Sequence, residues 1–309
     1  MQHARLHPWV QKIADMDDLS QYTRGQYAIQ VRKVQGMAPG RTLEEILANP
    51  AIMLKRIEAC TSNLQTKKSA ISAMKALIKH NSLQQQYAAA AKVWHDAFKL
   101  VDDAITARYE TAEPTVREVE QWMPWTAVLK KEKELAEREY GSMDHLLLAM
   151  YTHVPPQRQD YGNVKLVLEK PQKDIDYLLL PKCGNAPGAI CLRHRKTVKK
   201  LGIYHAEIPI NLVKIVVASL RSYPREFLFQ NAKGAPFVDK EVFTCWSNST
   251  LRRMFGKQMG VSTLRHSFIS SLDFNRLSPA ALKGIAYAMG HDLRQQQLYR
   301  RLGMRQNDA

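Results

Sequence analysis

Cysteine is scarce and scattered. Cys60, Cys183, Cys191 and Cys245 form no CxxC pair, which supports neither a zinc finger nor a disulfide framework and fits reduced thiols inside a cell. No uninterrupted apolar run approaches the roughly 18 residues of a membrane span, and no short apolar segment has the form of a secretion signal; a spanning or exported chain is not expected. Glycine and proline, 14 of each, are too few for a fibrous or disordered chain. Acidic residues are the other shortage: 29 Asp and Glu stand against 45 Lys and Arg, a formal net charge of +16. What remains is 309 residues, 45% of them apolar, enough for one or two domains with real cores. A globular chain with a pI near 9.7 is expected to meet a polyanion. A generic basic protein, such as a ribosome-associated one, is the bland alternative.

The first hundred residues read as helices. Ile71, Met74, Leu77 and Ile78 recur on one face, with Thr66 as the expected N-cap. Tyr87 to Leu100 continues the pattern in an alanine-rich stretch. Lys67, Lys68, Lys75 and Lys79 flank the apolar stripe, either as a solvated face or as a clamp on a DNA backbone. A linker is expected between about Ala104 and Thr115, where Glu113-Pro114 breaks the helical pattern. Beyond it, Val116 to Met150 is helical again. The period then changes to short β-rich runs, Val164–Leu168, Tyr177–Leu180, Ala189–Arg193 and Ile203–Ile210, expected to make a small antiparallel sheet. Asn211 is the expected cap of the next helix, and the rest is helical. The expected fold is mainly α with a small antiparallel β-sheet, divided into a helical domain over 1–110 and a second domain over 111–309.

The chemistry concentrates in the last fifty residues. Thr263 to Phe268 reads TLRHSF, with Thr263 as expected N-cap and Arg265 in the first turn, where helix N–H groups favour a phosphate. Ser278-Pro279 has the form of a helix start and Gly290 of its end, which puts His291 in a tight turn. Asp292 and Gln295 have the spacing of a capping box, and Tyr299 follows about two turns along that helix. A phenol with a pKa of about 10 needs help to act as a nucleophile. Neighbouring cations give that help, and arginine grips phosphate with a planar fork.

Arg265, His291 and Tyr299, in this order and spacing, resemble the catalytic domain of tyrosine site-specific recombinases, the phage-integrase family. The likeness spans about Glu113 to Gly303. It implies a helical core-binding domain before a tyrosine-recombinase catalytic domain, and attack by Tyr299 on a DNA phosphate to leave a 3′-phosphotyrosyl link, without metal or ATP. It also implies a second arginine at the start of the catalytic domain. Arg158 matches in Pro155-Pro156-Gln157-Arg158-Gln159-Asp160-Tyr161, a run similar to the viral and mobile-element branch. That branch often has two arginines here; if the first is the essential one, its place is held by Gln157. Asp160 corresponds to an acidic partner of that arginine. Lys196, in Arg195-Lys196-Thr197-Val198-Lys199-Lys200, matches the family's general acid on a β-hairpin, with Lys199 and Lys200 contacting the DNA backbone. Ser262 stands where the family usually has histidine, and His266 is expected to be structural.

The implied partners are double-stranded DNA and three further copies of the chain in a synaptic tetramer, with residues after Tyr299 packing on a neighbour. The implied location is inside the cell with DNA, in a prokaryotic cytoplasm or in the nucleus or viral factory of a eukaryotic host. Two rivals stay open: a type IB topoisomerase, towards which Ser262 leans, and a non-catalytic DNA-binding derivative, which Gln157 and Ser262 keep alive.

Overall fold

Helices account for most of the computed structural model, which describes residues 6–182, 185–301 and 304. The chain divides into two compact units, Met1–Thr111 and Ala112–Ala309. No helix among the described residues is long and apolar enough to cross a membrane.

The first unit holds α1 (Pro8–Ala14), α2 (Gln21–Gly36), α3 (Leu43–Ala48), α4 (Pro50–Cys60), α5 (Leu64–His80) and α6 (Ala88–Glu110). Helix α5 is its centre: Ala70, Ile71, Ala73, Met74, Leu77 and Ile78 are all buried. Small residues on that face let neighbouring helices approach, and each buried Leu, Ile or Met contributes roughly 1.5–3 kcal/mol. Trp94 on α6 is fully buried and donates its indole N–H to the Leu47 carbonyl at 3.2 Å. Two expectations change. The N-cap of α5 is Asn63, whose side chain accepts from the Thr66 amide; Asn outranks Thr as a cap, and three more residues join the helix. The segment expected to be a linker from Ala104 is helical to Glu110, and Ile105 within it is buried. The chain leaves the helix only at Thr111, and Ala112 takes a positive φ of 54°.

The second unit begins with α7 (Val116–Gln121), α8 (Trp125–Arg138) and α9 (Met143–Thr152). Helix α9 is apolar all round, with Leu146 to Tyr151 buried without exception, as expected of a helix at the middle of a core. Glu132 on α8 accepts from both His145 and His153, at 3.1 and 3.0 Å, and joins the two helices. Strands β1 (Lys165–Val167), β2 (Tyr177–Leu179), β3 (Gly188–Leu192) and β4 (Tyr204–Ile208) follow, with the one-turn α10 (Val198–Leu201) inside the β3–β4 connection. Helices α11 (Ile210–Ser222), α12 (Lys240–Phe255), α13 (Val261–Ser271), α14 (Pro279–Ala288) and α15 (Leu293–Tyr299) complete it.

The sheet order is β1-β2-β3-β4. It is mixed, not antiparallel: β1 runs parallel to β2, and only β2–β3 and β3–β4 are antiparallel. A three-residue strand carries no signal of direction. The 226–228 segment settles it by pairing with the other edge of β1, through Leu166 N–H to the Glu226 carbonyl and Leu228 N–H to the Val164 carbonyl, both 2.8 Å. Two caps also move. Helix α11 starts after Pro209, so Asn211 lies inside it. Helix α13 starts at Val261 after Gly260, which puts Thr263 within the first turn and Arg265 past it. Of the cysteines, Cys183 lies outside the described residues; Cys191 is buried, and Cys60 and Cys245 are exposed.

Candidate phosphoryl-transfer site

The site is built around one helix terminus. Helix α14 has Ser278 as N-cap and proline in its first turn, and it ends at a glycine with φ +71°. The last carbonyls of any helix lack intrahelical partners. Here the carbonyls of four successive residues, 287 to 290, at and just past this end accept from side chains elsewhere. Arg195 Nη1 donates to the Tyr287 carbonyl at 3.1 Å, Gln157 Nε2 to that of Ala288, Arg265 Nη1 to that of Met289 at 2.9 Å, and Arg158 Nη1 to that of Gly290 at 2.6 Å. Three guanidiniums thus gather at the negative end of a helix dipole. None of the three has a carboxylate partner among the described residues. Glycine is required at 290: a Cβ there would meet Thr197 Oγ1 at 3.3 Å and Arg158 Nη1 at 3.5 Å, in a backbone conformation L side chains rarely adopt.

Arg158 reaches the terminus because Pro155-Pro156 ends α9 and throws the chain into an extended path. The Tyr151 hydroxyl then holds the carbonyl of Arg158 at 3.0 Å. Gln157 and Arg158 do different things. Gln157 is 1% exposed and spent on the Ala288 carbonyl, whereas the charge of Arg158 is felt by both His291 and Tyr299. Arg265 is also 1% exposed; its Nη1 donates to the Pro156 carbonyl at 2.7 Å, tying α13 to the segment that carries Arg158. It does not sit among helix N–H groups, because α13 begins earlier than its sequence suggests.

Tyr299 ends α15, whose N-cap Asp292 accepts from the Gln295 amide at 2.8 Å. Its ring stacks on His266 at 4.5 Å, faces His291 at 5.2 Å, and lies under the Arg265 guanidinium at 5.1 Å. His266 Nδ1 donates to the Tyr299 carbonyl at 2.8 Å, so this histidine holds the tyrosine's backbone. Arg301 folds back onto its own unit: its amide donates to Ser270 Oγ at 2.9 Å and its guanidinium to Glu118 Oε1 at 2.6 Å. Of the tail after Tyr299, expected to contact a neighbour, only Arg300, Arg301 and Met304 are among the described residues.

The electrostatics follow from this packing. Burial alone pushes the Tyr299 phenol up, but the charges of Arg265 and Arg158 outweigh it and hold the phenol below its ordinary value. Burial, then the same two guanidiniums, hold the His291 imidazole down to about 3, so it is neutral at pH 7. Arg265 Nη2 lies 3.2 Å from His291 Nδ1. A guanidinium only donates, so Nδ1 accepts and the imidazole proton sits on Nε2. That Nε2 is buried and has no partner among the described residues. An N–H donor left unpaired in a buried site beside two cations is a place for an anion's oxygen.

Burial, followed by the charge of Arg301, holds His266 down to about 4. The acid sensitivity of the fold can be worked out from the two histidines. Both are neutral in the folded chain below 6.5, where the unfolded chain takes up protons, so stability falls as pH drops from 6.5 towards 4 and 3. The loss should amount to a few kcal/mol. Urea midpoints measured across this window should fall steadily, and His266→Gln with His291→Gln should flatten the profile. An equally steep profile in the double variant would assign the acid loss to other groups.

Lys196 lies in the β3–β4 connection just before α10, on an irregular turn and not on a strand. Its amide donates to Asp160 Oδ1 at 3.3 Å. Its side chain is exposed, and its ammonium has no ion pair among the described residues. Asp160, 8% exposed, also takes Lys240 Nζ at 2.9 Å, and Lys240 donates to the His194 carbonyl at 2.8 Å. Lys240 was not singled out from the sequence: it is 80 residues from Asp160 and belongs to no motif. Ser262 is exposed.

The remaining lysines differ from a free basic face. Lys68 is paired with Asp102 and Lys75 lies over the Phe98 ring at 3.9 Å. Lys200 pairs with Asp292 at 2.6 Å. Lys67 and Lys199 have no ion pair among the described residues.

No family model matches the chain, and no curated protein does. Among solved structures it is similar to one described as the crystal structure of XerA recombinase, at 15% identity and a TM-score of 0.42, covering 96% of this chain and 94% of that one.

Proposed function

We propose that this chain is a DNA strand transferase that cleaves and rejoins duplex DNA through Tyr299, acting as a site-specific recombinase or integrase. The observation that carries this reading is the convergence of Arg158, Arg265 and the unpartnered Nε2–H of His291 on one phenol of lowered pKa. The phosphate seats between the two guanidiniums and this N–H. The Tyr299 oxygen forms a bond to phosphorus as its proton passes to solvent. The bond from phosphorus to the 5′-oxygen breaks, and that oxygen takes a proton from the Lys196 ammonium. A 3′-phosphotyrosyl link and a free 5′-hydroxyl result. The link keeps the energy of the broken ester, so rejoining needs no ATP, and the guanidiniums supply the charge stabilisation for which other enzymes use a metal.

In this reading the first unit clamps the DNA backbone through Lys67, Lys68 and Lys75, and Lys199 and Lys200 contact it beside the site. The internal pairs are no obstacle: a partly exposed ion pair such as Lys68–Asp102 contributes on the order of 1 kcal/mol, which a phosphate contact can replace. Four copies would exchange strands between two duplexes of a mobile or viral element.

The test uses nicked duplexes tiled across the DNA flanking this gene, where cleavage releases a short fragment and traps the adduct. A covalent protein–DNA species mapping to Tyr299 is the expected product. Relaxation of a supercoiled plasmid by the monomer, without joining of two duplexes, would select the topoisomerase; binding with no adduct on any duplex would leave a DNA-binding protein. Affinity should also fall steeply with salt, by about 0.9 in log K per phosphate contact per unit log[salt]. A salt-independent affinity would contradict a phosphate clamp.

A further inference from the structure

We propose that Arg195 is a positioning residue, which registers the connection carrying Lys196 against the helix terminus carrying His291. The proposal rests on Lys196 being the acid of the strand-transfer reading.

Arg195 is 1% exposed and has no ion pair among the described residues. Its guanidinium is spent on carbonyls from two places. Nε donates to Gly202 at 3.0 Å and Nη2 to Leu201 at 3.1 Å, both at the far end of its own connection; Nη1 donates to Tyr287 at 3.1 Å, on α14. The same guanidinium lies against the rings of Tyr204 at 5.3 Å and Tyr287 at 4.6 Å. The Tyr287 hydroxyl returns the contact by donating to the Ile203 carbonyl at 2.8 Å. Taking a guanidinium out of water with only carbonyl partners is unfavourable unless every donor finds its place. The arrangement uses the planar fork, which lysine lacks.

The consequence falls on the next residue. The main chain of Lys196 is fixed from one side by Arg195, through α14, and from the other by Asp160, two residues after Arg158. Its exposed ammonium has no ion pair among the described residues. A general acid must meet one particular oxygen, and misplacement by about an ångström lowers the rate by orders of magnitude. Arg195 and Asp160 fix the anchor of Lys196 relative to the groups that hold the phosphate, while the exposed side chain remains able to enter DNA.

The test compares two DNA substrates and reads main-chain protection independently. With sulfur in place of the bridging 5′-oxygen, the leaving group is a thiolate of pKa about 8.5 and needs no proton. Arg195→Lys should slow adduct formation on ordinary DNA by roughly 10²-fold, and should cleave the sulfur substrate at close to the parent rate, as Lys196→Ala should. Equal slowing on both substrates would overturn the proposal, because it would place Arg195 at the phosphate or in general stability. In the DNA-free full chain, amide hydrogen exchange at Lys200, Leu201, Gly202, Gly290 and His291 should quicken roughly tenfold in Arg195→Lys, with α9 unchanged; unchanged exchange at those amides would also overturn it. Tyr287→Leu, at a partly exposed position, removes the ring and hydroxyl but keeps the carbonyl, and should give the same pattern more weakly. If the parent chain cleaves neither substrate, the strand-transfer reading fails, and exchange still decides whether Arg195 registers the two segments.

Discussion

Tyr299→Phe should bind DNA with the affinity and salt dependence of the parent chain and form no covalent adduct at any pH. The ring keeps its stack on His266 and its place under Arg265, and the carbonyl keeps its bond from His266. Only the hydroxyl is lost, so stability should change by no more than about 1 kcal/mol. Gel mobility under denaturing conditions separates free from linked protein. In the parent, the adduct rate should rise with pH and level off below 10, because Arg265 and Arg158 hold the phenol below its ordinary value against the effect of burial. Adduct surviving in Tyr299→Phe would show that another side chain attacks.

The legibility of this site in the sequence followed the reach of each interaction. Asp292 and Ser278 as caps, the glycine turn at 290 and the placing of Tyr299 on the helix after His291 depend on residues within a few positions, and these turned out as expected. The error at Arg265 was local too: a threonine that looks like a cap lost to Gly260, because Asn248 Oδ1 accepts from the Val261 amide at 3.1 Å and stands in for a side-chain cap. What could not be read were partners far along the chain. Gln157 meets the Ala288 carbonyl across 131 residues and Arg195 meets that of Tyr287 across 92. A carbonyl leaves no mark in a sequence, so an arginine buried for the sake of carbonyls looks like any surface cation. The reverse holds for Lys68 and Lys75, which look free on α5 and are engaged by Asp102 and Phe98 of α6. The direction of β1 is a third case, fixed by the remote 226–228 segment.

The gathering of three arginines on carbonyl partners leaves the site with a surplus of positive charge. Each carbonyl partner offsets desolvation without cancelling charge, and the helix terminus contributes about half a negative charge in all. The charges of Arg265 and Arg158 lower Tyr299 against its burial, and they add to burial in lowering His291. An incoming phosphodiester would supply the missing negative charge, and by the same Coulomb argument would raise His291 from about 3.

Arg265 joins all of these parts, and its loss should be the most damaging single change after that of the nucleophile. Arg265→Ala would leave the buried carbonyls of Pro156 and Met289 without that donor, each at about 1–3 kcal/mol, so the fold itself should weaken. Arg265→Lys is the sharper experiment. Lysine keeps a positive charge and reaches one carbonyl, but loses the fork and with it the bond from Nη2 to His291 Nδ1. The chain should stay folded, with an unchanged circular dichroism spectrum and nearly unchanged DNA affinity, because backbone contacts elsewhere dominate binding. Adduct formation should fall by roughly 10²–10³-fold, the effect of losing one preorganised donor to the developing charge. The sulfur-containing substrate should not rescue it, since the defect lies at the non-bridging oxygens and not at the leaving group. In Arg265→Ala the His291 imidazole, released from its nearest cation, should titrate at a higher pH by NMR, a shift with the sign of the lost charge. An Arg265→Lys variant that forms adduct within tenfold of the parent rate, or that the sulfur substrate restores, would remove Arg265 from the phosphate and leave it the task of holding α13 to the Pro156 segment.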